Sequence, residues 1–139
     1  MGISTRLDHG RNGKIRTMTI ILPIKLTNGN TGRGNAWYMS AAFRDKVEKK
    51  LRTLGLARSP FAMPVTVTIT RILGKGERLW DSSSILRGNY KEIEDALVAI
   101  GWFVDDSPKH IVWTNGRQDD TRRDKGPAVE LEILPYYKD

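Results

Sequence analysis

Asp81, Lys91, Asp95 and the pair Asp105-Asp106 are the residues of this chain whose types and spacing could do chemistry. A loop acid, a lysine four residues ahead of a second acid, and an acid pair at the following turn could converge on one divalent cation. Magnesium, with manganese as a substitute, suits such a set. It is a hard ion that takes a few carboxylates and keeps the rest of its shell for water and substrate phosphate oxygens. Lys91 would then stabilise charge developing on a phosphate or orient an attacking water. The simpler reading of Lys91 and Asp95 is an i, i+4 helical ion pair, worth about a few tenths of a kcal/mol.

These acids stand in a basic chain. The 139 residues carry 23 Lys and Arg against 16 Asp and Glu, a net charge of +7, which suggests a polyanionic partner and above all nucleic acid. Acids repel a phosphate backbone, and a bound cation would give them a reason to be there. With no cysteine, thiolate nucleophiles and Cys-built zinc sites are excluded, and His9 and His110 are too isolated to form a histidine site. The length suits a single domain, and 39% hydrophobic with 28% charged residues is the composition of a folded protein with a core. No apolar run is long enough to span a bilayer and residues 1–17 lack the apolar centre of a secretory signal, so the expected location is cytoplasmic, with no membrane partner.

The elements that must position these residues are read from periodicity. Residues 1–17, with Arg6, Arg11, Lys14 and Arg16 among Gly, Asn, Ser and Thr, read as a flexible basic arm, and 18–139 as one domain. Met18 to Leu26 is a first strand interrupted by Pro23. Phe43, Val47, Leu51 and Leu54 mark one face of a helix capped by Ser40 and stopped by Gly55, with Arg44, Lys46, Lys49, Lys50 and Arg52 as its solvated opposite face. Val65, Val67 and Ile69 alternate with threonines in a half-buried strand. A second helix runs from Ser84 to Gly101, a short strand covers His110 to Trp113, Thr114 to Gly126 is a charged connection, and Ala128 to Leu134 is a last strand. The expected fold class is α+β, a mixed β-sheet of about four or five strands with two helices packed on it.

The run Trp80-Asp81-Ser82-Ser83-Ser84-Ile85-Leu86-Arg87-Gly88-Asn89-Tyr90-Lys91, then Asp95-Ala96-Leu97, then Gly101-Trp102-Phe103-Val104-Asp105-Asp106-Ser107-Pro108, resembles the RusA-type Holliday-junction resolvases, phage-encoded members included. The resemblance extends in order and pattern over about residues 18 to 134. It implies a RusA-like fold and a homodimeric, magnesium-dependent endodeoxyribonuclease that resolves four-way DNA junctions by paired nicks in recombination and repair. The location it implies is the nucleoid of a bacterial or phage-infected cell. By the same resemblance Asp81, Lys91 and Asp106 are catalytic, Asp81, Asp105 and Asp106 hold the metal, and Asp95 and Ser83 support them. Lys75, Arg78, Arg87, Arg11, Lys14 and Arg16 are the expected DNA contacts. The sequence departs from the pattern where an acid is expected near Ser83 and an Asn near Ser84. A neutral hydroxyl is a weaker ligand, so the alternative is a catalytically weakened or inactive branched-DNA-binding protein of the same fold. An RNA-binding structural protein would explain the charge but not the acids around the second helix.

Overall fold

The computed structural model describes residues 4–9, 15–27, 36–81, 84–87 and 90–136. Five strands form one sheet in the order β1-β2-β5-β3-β4: β1 Ser4–His9, β2 Ile15–Leu22, β3 Val65–Ile72, β4 Ile111–Asp119 and β5 Ala128–Pro135. The helices are α1 Ala36–Thr53, the single turn α2 Ser84–Arg87, and α3 Tyr90–Ala99. β3 and β4 are parallel, joined by the crossover that contains α2 and α3, and the other neighbouring strands are antiparallel. A parallel pair needs such a long connection, and it is this connection that carries Asp81, Lys91, Asp95, Asp105 and Asp106.

Alternation along the strands decides which face is covered. Met18, Ile20 and Leu22 of β2, Val65, Val67 and Ile69 of β3, and Val129, Leu131 and Ile133 of β5 are all buried. The register sets Ile20 and Ile69 on either side of Leu131, and Met18 and Val67 on either side of Ile133, so these residues make one apolar face. Val47 and Leu51 of α1 and Ile93, Ala96 and Leu97 of α3 belong to the same core, and α1 packs directly on α3. Helices cover one face. Thr19, Thr68, Thr70, Glu130 and Glu132, at the alternate positions, are only half-buried, as expected for a sheet with one wet face.

The turn after α3 is fixed by main-chain bonds and an anchor. Gly101 has φ +98°, a conformation that favours glycine, and a Cβ there would collide with the Arg58 carbonyl oxygen. The Arg58 and Phe61 amides donate to the Ile100 and Trp102 carbonyls at 3.1 Å each, and the fully buried Trp102 indole donates to the Leu56 carbonyl at 2.7 Å. The segment 56–61 is thereby sewn to the chain that leads into Asp105-Asp106.

Several elements differ from the expected ones. Ser4–His9, within the segment read as an arm, pairs with β2 as an edge strand. α1 begins at Ala36, which puts Ser40 inside the helix and not at its cap. Of the expected second helix, Ser84–Arg87 and Tyr90–Ala99 are helical, and Gly88 and Asn89 lie outside the described residues. β4 continues six residues past Trp113 through Thr114–Asp119, which composition marks as a charged connection. Pairing with the full length of β3 extends it, and as an edge strand it turns Trp113, Asn115 and Arg117 to solvent, so its polar residues meet no penalty.

Candidate functional site

The residues singled out by their chemistry form one charge cluster and several separate pieces. In the first turn of α3, Lys91 reaches the Asp106 carboxylate in a close, charge-assisted hydrogen bond, with Asp95 Oδ1 at 3.2 Å and Glu94 Oε1 at 3.4 Å from its Nζ. The helix supplies Lys91, Glu94 and Asp95 at i, i+3 and i+4, and the turn after Trp102 brings Asp106 to them. The Asp106 carboxyl is held below the usual carboxylate range by its hydrogen bond from Lys91, and the same bond raises the lysine. Glu94 behaves oppositely: burial pushes its carboxyl up, while hydrogen bonds from Lys91 and from the buried Tyr90 hydroxyl at 2.9 Å work against the shift. Glu94 and Tyr90 were missed by sequence reasoning, although their i, i+4 spacing on the buried side of a helix was available.

The other expected site residues lie around this cluster without joining it. Asp105 turns its Oδ1 to the Ser107 amide at 2.8 Å, with His110 Nε2 at 3.9 Å, and its carboxyl is lowered chiefly by the hydrogen bonds from Ser107. Asp81 has an exposed side chain and contributes through its main chain, its carbonyl accepting the Ser84 amide at 2.9 Å ahead of α2. Ser83, Arg11 and Lys14 lie outside the described residues, as do the side chains of Arg16 in β2 and Arg87 in α2.

The loop that carries Lys75, Arg78 and Asp81 is gripped by an arginine that no sequence motif marked. Arg71, at the end of β3 on its core-facing side, is 4% exposed. Its Nη1 donates to the Arg78 carbonyl at 2.9 Å and to Gln118 Oε1 at 3.0 Å, and its Nη2 lies 3.6 Å from Glu77 Oε2. The guanidinium stacks 3.7 Å from the Trp80 ring centre. Gln118 of β4 completes the clasp, accepting from the Trp80 amide at 2.8 Å and donating to the Trp80 carbonyl at 2.9 Å. From the next loop Arg123 donates to the Gly74 and Glu77 carbonyls at 2.7 and 2.8 Å. Asp119 organises that loop by accepting from Thr121 and from Arg122 Nε at 2.8 Å, and Arg122 reaches on to Glu130 at 3.1 Å.

This geometry does not support the expected metal centre. Of the three expected ligands Asp81, Asp105 and Asp106, only Asp106 joins the cluster, and its carboxylate is engaged by the Lys91 ammonium, which a cation would have to displace. Among the described residues no group of three or more His, Asp or Glu side chains is placed to hold a metal ion. The magnesium or manganese requirement is therefore withdrawn, and with it the metal-dependent nuclease activity.

Comparison with known proteins gives the resolvase resemblance no footing. No family model matches the chain, and no curated protein matches it. Among solved structures, two of the periplasmic domain of Helicobacter pylori MotB match at 11% identity and a TM-score of 0.40, covering 95% and 96% of this chain and 87% and 81% of theirs. The OmpA-like domain of FopA1 from Francisella tularensis subsp. tularensis SCHU S4 matches at 18% identity and a TM-score of 0.33, over 94% of this chain and 81% of that one. Likenesses at this level carry no inference about ligand or compartment. The RusA-like fold, junction resolution, the inactive branched-DNA-binding alternative, the four-way-junction partner with its homodimer, and the cytoplasmic, nucleoid-associated location are all withdrawn as expectations. Among the described residues no helix is long and apolar enough to cross a membrane. The chain is a mixed α+β domain with its helices on one face of a five-stranded sheet.

Proposed function

We propose that this domain is a binding module for an anionic polymer, which it holds by surface charge at one end of its sheet. The observation that carries the reading is a set of cations left without counter-charges in a chain of net charge +7. β3 and β4 end together, with Ile72 opposite Asp119 and Ala128, so the loops 73–81 and 120–127 leave the sheet at the same end. Lys75, Arg78 and Lys125 project from these loops and Arg117 from near the end of β4, all exposed. Among the described residues none of the four has an ion-pair partner, whereas Arg71 and Arg122 are neutralised by Glu77, Asp119 and Glu130. Asp81, Asp120 and Asp124 are the exposed acids of the same end, which leaves it positive on balance.

Mechanistically, the structural arginines do not bind the partner. Arg71 and Arg123 hold the loop that presents Lys75 and Arg78, so less side-chain and loop freedom is lost on binding. The test is fluorescence anisotropy with labelled dextran sulfate, a polyanion without base or peptide recognition, titrated at rising NaCl. Binding is expected to weaken steeply with salt. Lys75→Gln with Arg78→Gln should lower affinity about tenfold, each exposed charge contributing about 0.7 kcal/mol. Salt-independent binding, or a double variant that binds as the wild type does, would refute the reading.

A further inference from the structure

A second feature stands on the other side of the β2 end. Pro23, Ile24, Lys25 and Thr27, which follow β2, face Phe43, Lys46, Val47 and Lys50 of α1 and Pro127 across an open cleft of about 440 Å³. That volume lies in the range of small-molecule sites. The floor is apolar: Val47 is buried, Phe43 is half-buried against the core, and Pro23 and Pro127 add two ring faces. The rim is cationic. Phe43, Lys46, Val47 and Lys50 fall at i, i+3, i+4 and i+7, so α1 presents two ammonium groups side by side along one edge of an apolar stripe. Lys25 faces them from the β2 side, held 3.8 Å from Glu77. Among the described residues neither Lys46 nor Lys50 has an ion-pair partner, although Asp45 and Glu48 of the same helix pair with Arg44 and Arg52.

We propose that this cleft binds a small organic anion, a carboxylate or sulfonate on a ring-sized apolar body. The body lies on Phe43, Val47 and the two prolines, and the anionic group is held between Lys46 and Lys50. Charge complementarity selects the head and the apolar floor selects the body. A neutral ring would leave the ammoniums uncompensated, and a bare anion would gain nothing from the floor. The inference is independent of polymer binding at Lys75 and Arg78, because it concerns different residues and a different ligand.

The test is calorimetric titration of the full chain with 2-naphthoate, its neutral analogue 2-naphthalenemethanol, and acetate. Naphthoate is expected to bind at least about tenfold more tightly than either of the others, the equivalent of roughly 1.4 kcal/mol for the matched charge. Lys46→Gln with Lys50→Gln, both on the helix surface, should remove that advantage and leave the far-ultraviolet spectrum and Tm unchanged. Lys75→Gln with Arg78→Gln should leave naphthoate binding intact, which separates the cleft from the polymer surface. Equal affinity for the acid and the alcohol, equal affinity for acetate, no detectable naphthoate binding, or naphthoate binding that survives the Lys46/Lys50 change would each overturn the proposal.

Discussion

Replacing Arg71 by Met should loosen the loop that presents Lys75 and Arg78 as well as destabilise the fold. The side chain is 5% exposed and makes hydrogen bonds at 2.9 and 3.0 Å, an ion pair at 3.6 Å and a ring contact at 3.7 Å. Breaking a buried charge pair costs about 3 to 5 kcal/mol, because the abandoned partner stays desolvated. Here Glu77 keeps the Gly74 amide at 2.7 Å and Lys25 at 3.8 Å, so its loss is softened. Met also fills much of the volume beside Trp80. A net cost of about 3 kcal/mol follows, which for a chain of this length is a fall of about 10 °C in Tm. Thermal unfolding followed at 222 nm gives the stability, and dextran sulfate binding at a temperature where both proteins are folded gives the loop's contribution. Arg71→Lys should lie between the two, keeping the charge and losing the fork that spans Arg78 and Gln118. A fall of less than about 3 °C, with polymer binding unchanged, would refute the idea that Arg71 holds this loop.

The remaining predictions concern other parts of the fold. Gly101→Ala should destabilise by about 3 kcal/mol or more, since a positive φ and a collision with the Arg58 carbonyl act together, and a wild-type urea midpoint would contradict that packing. Asp119 is held down to about 2 by its hydrogen bonds from Thr121 and Arg122. A depressed carboxyl contributes stability that is present above its unfolded value of 3.8 and lost as pH falls through about 2. The urea midpoints of wild type and Asp119→Asn should therefore differ most above pH 4 and converge towards pH 2, and a gap that ignores pH would count against those bonds.

Periodicity was enough to locate the strand of Val65, Val67 and Ile69, the apolar stripe of α1 and the stop at Gly101, because each depends on neighbours a few residues away. Lys91 and Asp95 were legible as a pair for the same reason, since i, i+4 spacing on a helix fixes their approach. That Asp106 closes on this lysine depends on a turn sewn to residues 56–61, and no local pattern contains that contact. β4 shows the same divide: Asn115, Gly116 and Arg117 have little strand preference of their own and are extended by pairing with β3. Arg71 looks like a solvent residue in sequence and is buried because Glu77, Trp80 and Gln118 are brought to it by the crossover. Lys46 and Lys50, which composition placed on a solvated face, border the cleft because the chain after β2 crosses over that side of α1. Composition and short-range spacing determined the charge, the absence of cysteine and most of the apolar stripes. Tertiary structure alone decided which charges neutralise one another and which stay free, since a charge pair is made by proximity in space and partners such as Lys25 and Glu77 lie far apart in sequence.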